Sequence, residues 1–108
     1  MTEFVGANPI NLVEDLDLGH PEALIPALIK FLYDLREKLP MFVVYDRPSD
    51  FPEHVVARMW TTLPEAKPIH FVMRASNIER VRDVLEACGL VHLDRSPEDD
   101  PRILETWL

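Results

Sequence analysis

Ten prolines limit how far any regular element of this chain can run. A proline ring fixes φ and removes an amide donor, so helices start or stop at it and central strands avoid it. Pro21 follows Gly19-His20 and suits a first helical position, where the missing amide had no partner anyway. From Leu24 onward, Leu28, Leu32, Leu35 and Leu39 recur at helical spacing, and Ile25, Ile29 and Phe31 widen the apolar stripe. Pro40 ends that helix. Pro26 falls inside it and would remove the bond to the Glu22 carbonyl, which predicts a kink or a restart there. Asn8-Pro9 marks an earlier turn, and Pro64 and Pro68 bound a later one.

Between the prolines lie short strands. Met41–Tyr45 (MFVVY) is β-branched and apolar throughout, as a central strand is. Across His54–Thr62, Val55, Ala57 and Met59 alternate with His54, Val56, Arg58 and Trp60. Across Ile69–Arg74, Ile69, Phe71 and Met73 alternate with His70, Val72 and Arg74. Ser76–Cys88 is helical: Ser76 with Glu79 reads as a capping box, Ile78, Val81, Leu85 and Cys88 share a face, and Gly89 supplies the left-handed stop. Leu90–Leu93 and Arg102–Leu108 complete the strands. The pattern predicts an α+β fold: an N-terminal helix, then an antiparallel sheet of four or five strands with the capped helix on one face. Residues 1–38 form an acidic lead-in and apolar helix, and residues 39–108 form the α+β part of one compact domain.

The chain carries 19 acidic and 11 basic residues, a formal charge of −8. Binding nucleic acid through a basic face is not expected from that balance, because phosphate neutralisation needs clustered Lys and Arg. One cysteine forms no disulfide within the chain, and Cys88 on an apolar helix face reads as an inert thiol. The first nineteen residues lack a basic stretch followed by a long apolar one, so no signal peptide is predicted. The apolar run Ala23–Tyr33 is too short to span a bilayer. A cytoplasmic setting and no membrane contact are expected.

The densest collection of chemical groups is YDRPSDFPEH, Tyr45–His54. Asp46, Asp50 and His54 would share a helix face, but Pro48 and Pro52 exclude the helix, and Asp, Ser and Pro are ordinary turn residues. Asp50 with Glu65-Ala66-Lys67 resembles the Asp…Glu-x-Lys pattern of metal-dependent nucleases. That pattern needs an apolar strand, whereas here it lies between two prolines. His54, His70 and His92 have no paired metal-ligand spacing. Glu98-Asp99-Asp100 lacks the glycine-spaced loop of a calcium site. No catalytic residue, metal or cofactor is predicted; a metal-dependent nuclease or hydrolase stands as the enzymatic alternative.

What remains is surface. MFVVYDRPSDFPEHVVARMW and GLVHLDRSPEDDPRILETW both read as strand, Asp-Arg, acidic Pro/Ser loop, strand, Trp, so both acidic loops are expected to be hairpin ends. Asp46, Arg47, Asp50, Glu53, Glu98, Asp99 and Asp100, with Arg58 and Trp60 on the polar strand face, are the candidate binding residues. Leu24, Leu28, Phe31, Leu32 and Leu35 are candidates for a homodimer contact.

YDRPSDFPEHVVARMW and the ending DDPRILETWL resemble a family of small phage and prophage proteins for which no activity is established. Those proteins carry a Tyr-Asp-x-Pro-x-Asp-x-Pro stretch and close on Asp-Asp-Pro and Glu-Thr-Trp-Leu. The likeness spans about Leu39 to Leu108. It implies a phage setting, in the host cytoplasm, and no mechanism. Together with the charge, it leads to an expectation of an accessory protein that works by non-enzymatic binding. Its expected partner is a host protein with a basic surface, such as a nucleic-acid-binding or defence complex that it inhibits. A homo-oligomeric structural phage component is the other alternative.

Overall fold

The computed structural model of the chain describes residues 13–18 and 21–108. Its elements are strand β1 (Val13–Asp15), helix α1 (Pro21–Asp34), a 3-10 turn (Arg36–Lys38), strands β2 (Pro40–Asp46), β3 (Val55–Thr61) and β4 (Lys67–Ala75), helix α2 (Ile78–Ala87), and strands β5 (His92–Asp94) and β6 (Ile103–Trp107). The strands form one sheet in the order β1-β4-β3-β2-β6-β5. The expected α+β class is present, with two corrections. The sheet has six strands, and it is mixed, because β1 runs parallel to β4 while the other pairs are antiparallel.

β1 falls within the acidic lead-in. Three residues are too few for alternation to register, and Glu14 and Asp15 favour strands weakly. Tertiary bonds hold it instead. Asp15 pairs with Arg74 at 3.1 Å, the Leu16 amide donates to the Arg74 carbonyl at 2.8 Å, and Leu16 is buried. The Asn8-Pro9 turn and the Gly19-His20 approach to the helix lie outside the described residues.

α1 runs through Pro26 to Asp34 without a restart. Pro26 is exposed, so its ring displaces nothing from the core. The helix stops well before Pro40, and Leu39 takes a left-handed φ of 50° to turn the chain into β2. The central strands obey the predicted alternation. Phe42 and Val44 lie opposite Met59 and Ala57, and Ala57 lies opposite Met73. Both helices cover this side of the sheet: Leu28 and Leu32 of α1 and Val81, Val84 and Leu85 of α2 join those residues and Trp107 in one core. Val43, Tyr45, Val56, Arg58, Trp60, Val72 and Arg74 point to the other side. His54 belongs to the loop before β3 rather than to the strand, and β4 extends back through Pro68.

α2 begins one residue later than the capping-box spacing predicts. Its N-cap is Asn77, whose side chain accepts from the Arg80 amide at 3.1 Å. Ser76 is occupied elsewhere, with its amide and hydroxyl both donating to Asp17 at 2.9 and 3.3 Å. At the other end, Gly89 adopts φ of 84°. The Gly89 amide bonds the Glu86 carbonyl and the Leu90 amide bonds that of Leu85, a Schellman closure. Among the described residues, no helix is long and apolar enough to cross a membrane.

The position of the cap is testable. Asn77→Ala should lower stability by about 1 kcal/mol, and Ser76→Ala should cost less, since the Ser76 amide keeps its bond to Asp17. Chemical denaturation of both variants checks this, and a larger loss for Ser76→Ala would return the cap to that residue.

Candidate functional site

Sheet topology brings the two acidic hairpin loops together. β2 leads into loop 47–54 and returns as β3, while β5 leads into loop 95–102 and returns as β6. β6 lies beside β2 with Tyr45 opposite Ile103, and the Asp46 amide donates to the Arg102 carbonyl at 2.7 Å. Both loops therefore leave the same end of the sheet. The ends of β1 and β4 join them there, since Val55 pairs with Ala75 and Asp15 with Arg74. Between Asp46–His54 and Asp94–Arg102 the sequence places seven carboxylates (Asp46, Asp50, Glu53, Asp94, Glu98, Asp99, Asp100) against three arginines.

Loop 47–54 folds back over the helix-free side of the sheet. Arg47 starts it at a left-handed φ of 47°, with its amide bonded to the His54 carbonyl at 3.0 Å. Two short turns follow, Phe51 amide to Pro48 carbonyl and His54 amide to Phe51 carbonyl. The fold-back is fixed by charge and ring contacts. The Asp50 carboxylate pairs with Arg58, and the Phe51 ring lies 5.9 Å from the Arg58 guanidinium and 5.5 Å from that of Arg74. Arg58 also stands 5.7 Å over Tyr45. Of the sequence-predicted binding residues, Asp50 and Arg58 thus bind each other. Asp46 and Arg47 form an exposed pair at 3.4 Å, while Glu53 is exposed with no ion-pair partner among the described residues. The Trp60 indole N–H is buried and meets no acceptor among them.

Loop 95–102 is organised by its own acids. Asp99 accepts from the Ser96 amide at 2.9 Å, Glu98 accepts from the Ser96 hydroxyl at 3.0 Å, and Asp100 accepts from the Arg102 amide at 2.8 Å. Each is a short-range turn bond of the type Asp and Ser favour. Each carboxylate keeps further lone pairs directed to solvent.

The metal readings lose their geometry. Asp50 lies in the loop before β3 and Glu65 and Lys67 lie beyond its far end, a seven-residue strand of roughly 20 Å between them. Glu65 and Lys67 simply pair with each other at 3.8 Å. His70 on β4 and His92 on β5 are separated by three intervening strands. Among the described residues, no group of three His, Cys, Asp or Glu is placed to hold a metal ion. Burial pushes the Cys88 thiol up from its ordinary value, away from nucleophilic thiolate chemistry.

The predicted dimer residues face inward. Leu28 and Leu32 are in the core, and Leu24, Phe31 and Leu35 pack against it. The large apolar residues that α1 exposes are Ile29 and Tyr33, which border a groove of about 710 Å³ with Leu39, Met41 and Leu108.

A polar cluster absent from the sequence-based candidates lies between α2 and β6. Glu105 is 1% exposed, yet its carboxylate accepts from Arg82 at 2.6 and 3.1 Å, from the Trp107 indole at 2.7 Å, and faces His92 Nε2 at 3.2 Å. With Glu79, Asp83 and Glu86, its partners Arg82, His92 and Trp107 line a cavity of about 410 Å³. Burial raises the Glu105 carboxyl's pKa, but hydrogen bonds from Arg82 and Trp107 and the nearby charges of Arg82 and His92 outweigh that and hold it below the ordinary range. A carboxylate this fully engaged is a poor proton acceptor and a good tie between elements. The signal in the sequence is Glu105 two residues from Trp107, on one face of a strand.

Comparison with protein-family models, curated proteins and solved structures gives no match for the chain.

Because the folded state lowers the pKa of Glu105, its contribution to stability is complete above the unfolded value of about 4.3 and is lost as pH falls through the folded value. Glu105→Gln should cost about 1–3 kcal/mol at neutral pH, the half-exposed Arg82 being free to turn to water. The difference from wild type should shrink in acid below about pH 4. Urea denaturation of both proteins across pH 2.5–7 measures this, and a pH-independent gap would show that the carboxylate's charge is not what matters.

Proposed function

We propose that the chain acts by non-enzymatic protein binding and that the acidic end of the sheet is the surface that binds. The observation carrying this reading is the convergence of loops 47–54 and 95–102 at one end, joined by the Asp46–Arg102 bond. Seven carboxylates on two braced loops and the strand ends that lead into them concentrate negative potential where a flexible segment would disperse it. Bracing also reduces the side-chain ordering that binding costs. The partner that fits is a protein with a basic patch, of the kind that contacts nucleic acid. The phage-type motifs make a host nucleic-acid-binding or defence complex the natural target, with inhibition as the outcome. Arg58 serves this reading indirectly, by anchoring Asp50 and with it the loop.

Four substitutions test it: Glu53→Gln, Glu98→Gln, Asp99→Asn and Asp100→Asn together. They remove four charges while the amide oxygens keep the acceptors that loop 95–102 uses. Immobilised wild-type chain should retain basic proteins from the nucleic-acid-binding fraction of a bacterial lysate and release them as salt screens the contact. The quadruple variant should bind about tenfold more weakly, at a few tenths of a kcal/mol per exposed charge. Retention that is insensitive to both salt and the four substitutions would exclude this surface.

A further inference from the structure

We propose that two copies of the chain associate through the free edge of β5, giving one continuous sheet across a two-fold axis at Leu93. Among the described residues β5 is the last strand of the sheet, and all three of its residues are exposed. Val91, just before it, is 63% exposed and Leu93 is 45% exposed. An unpaired edge is a template for another strand, and proteins commonly guard it with lysine, proline or a bulge. His92-Leu93-Asp94 carries no lysine, proline or bulge, and its guards are its three-residue length and the single charge of Asp94.

The register follows from the bonds already made. The Val91 amide donates to the Leu108 carbonyl at 2.8 Å, and the Leu108 amide returns a bond to Val91 at 3.0 Å. In an antiparallel ladder such hydrogen-bonded pairs alternate with non-bonded ones. Residues 91 and 93 therefore turn their backbone groups toward β6, and His92 and Asp94 turn theirs outward. When this edge meets a second copy antiparallel about Leu93, His92 lies opposite Asp94 of the other copy, twice. Each of these pairs exchanges two backbone bonds, four in all, and sets an imidazole beside a carboxylate. Leu93 meets its own counterpart in the closer, non-bonded position, where side chains pack best.

Neighbouring registers are worse. Centring on Asp94 sets two carboxylates face to face, and centring on His92 opposes two imidazoles. The opposite edge is protected by the same logic, since β1 (Val13-Glu14-Asp15) paired with itself about Glu14 would oppose two carboxylates. The association is independent of the acidic-end reading. It would place the two acidic ends at opposite extremes of the dimer, each open to a partner.

Sedimentation equilibrium over a concentration series is the test. A short edge predicts a reversible dimer, half dissociated at about 10–100 µM. Added salt should tighten it, because two copies of charge −8 repel each other. Leu93→Lys sets two ammonium groups at the axis, and Asp94→Pro deletes an outward amide that β6 does not use; each should weaken the dimer at least about tenfold. In a Cys88→Ser background, Leu93→Cys should be cross-linked by diamide into a disulfide dimer, and Thr106→Cys, one strand in from the edge, should not. A chain that stays monomeric to about 1 mM overturns the proposal. So does a dimer that both edge variants leave intact, which would point to the groove beside Ile29 and Tyr33 instead.

Discussion

Glu105 is the fastening on which the far half of the sheet depends. β5 and β6 lie beyond β2, away from the strands with which α2 makes its main contacts. Arg82 reaches from α2 to the Glu105 carboxylate, and His92 approaches it from β5. Trp107, two residues along the same strand, donates its indole N–H to the same group and fills the core beside Phe42. One buried anion thus sets the position of the helix, the last strand and the edge strand together. A hydrophobic residue at this point could fill the same volume, but it would not fix which helix residue lies above β6.

The acidic end shows how turn chemistry and recognition chemistry can use the same atoms. Asp99 and Asp100 are needed by the backbone of loop 95–102, and Asp50 is needed by Arg58 to hold loop 47–54 down. Satisfying these local demands leaves the carboxylates fixed in direction and still charged. That is the condition under which a cluster of acids acts as a surface of defined shape rather than a cloud of repelling side chains.

Period-two alternation was enough to place Val55, Ala57, Met59, Phe71 and Met73 on one side of the sheet, because each central strand buries one face. The echo between the two strand–loop–strand segments identified both acidic loops as hairpin ends. Alternation could not place β6 next to β2, since a strand's pattern shows which face is buried and not which neighbour it takes. The meeting of the two loops follows from that pairing, and so it lay beyond local reading. The cap moved from Ser76 to Asn77 because Asp17, far away in the chain, takes the serine's donors. β1 was hidden for a similar reason: Val13-Glu14-Asp15 is a strand only because Arg74 and Leu16 make it one. The apolar stripe of α1 was legible, but not its destination, which proved to be the chain's own core.

The placement of β2 has a consequence for the order of assembly. β2, β3 and β4 follow one another and can zip up through short turns, whereas Phe42 meets Trp107 only after a long loop has closed. Until β6 arrives, the apolar segment MFVVY presents a bare hydrogen-bonding edge to any other chain. Charged neighbours flank it, Arg36, Glu37 and Lys38 on one side and Asp46 and Arg47 on the other. In the finished molecule these residues brace turns, while in the incomplete one they are the gatekeepers of its most aggregation-prone stretch.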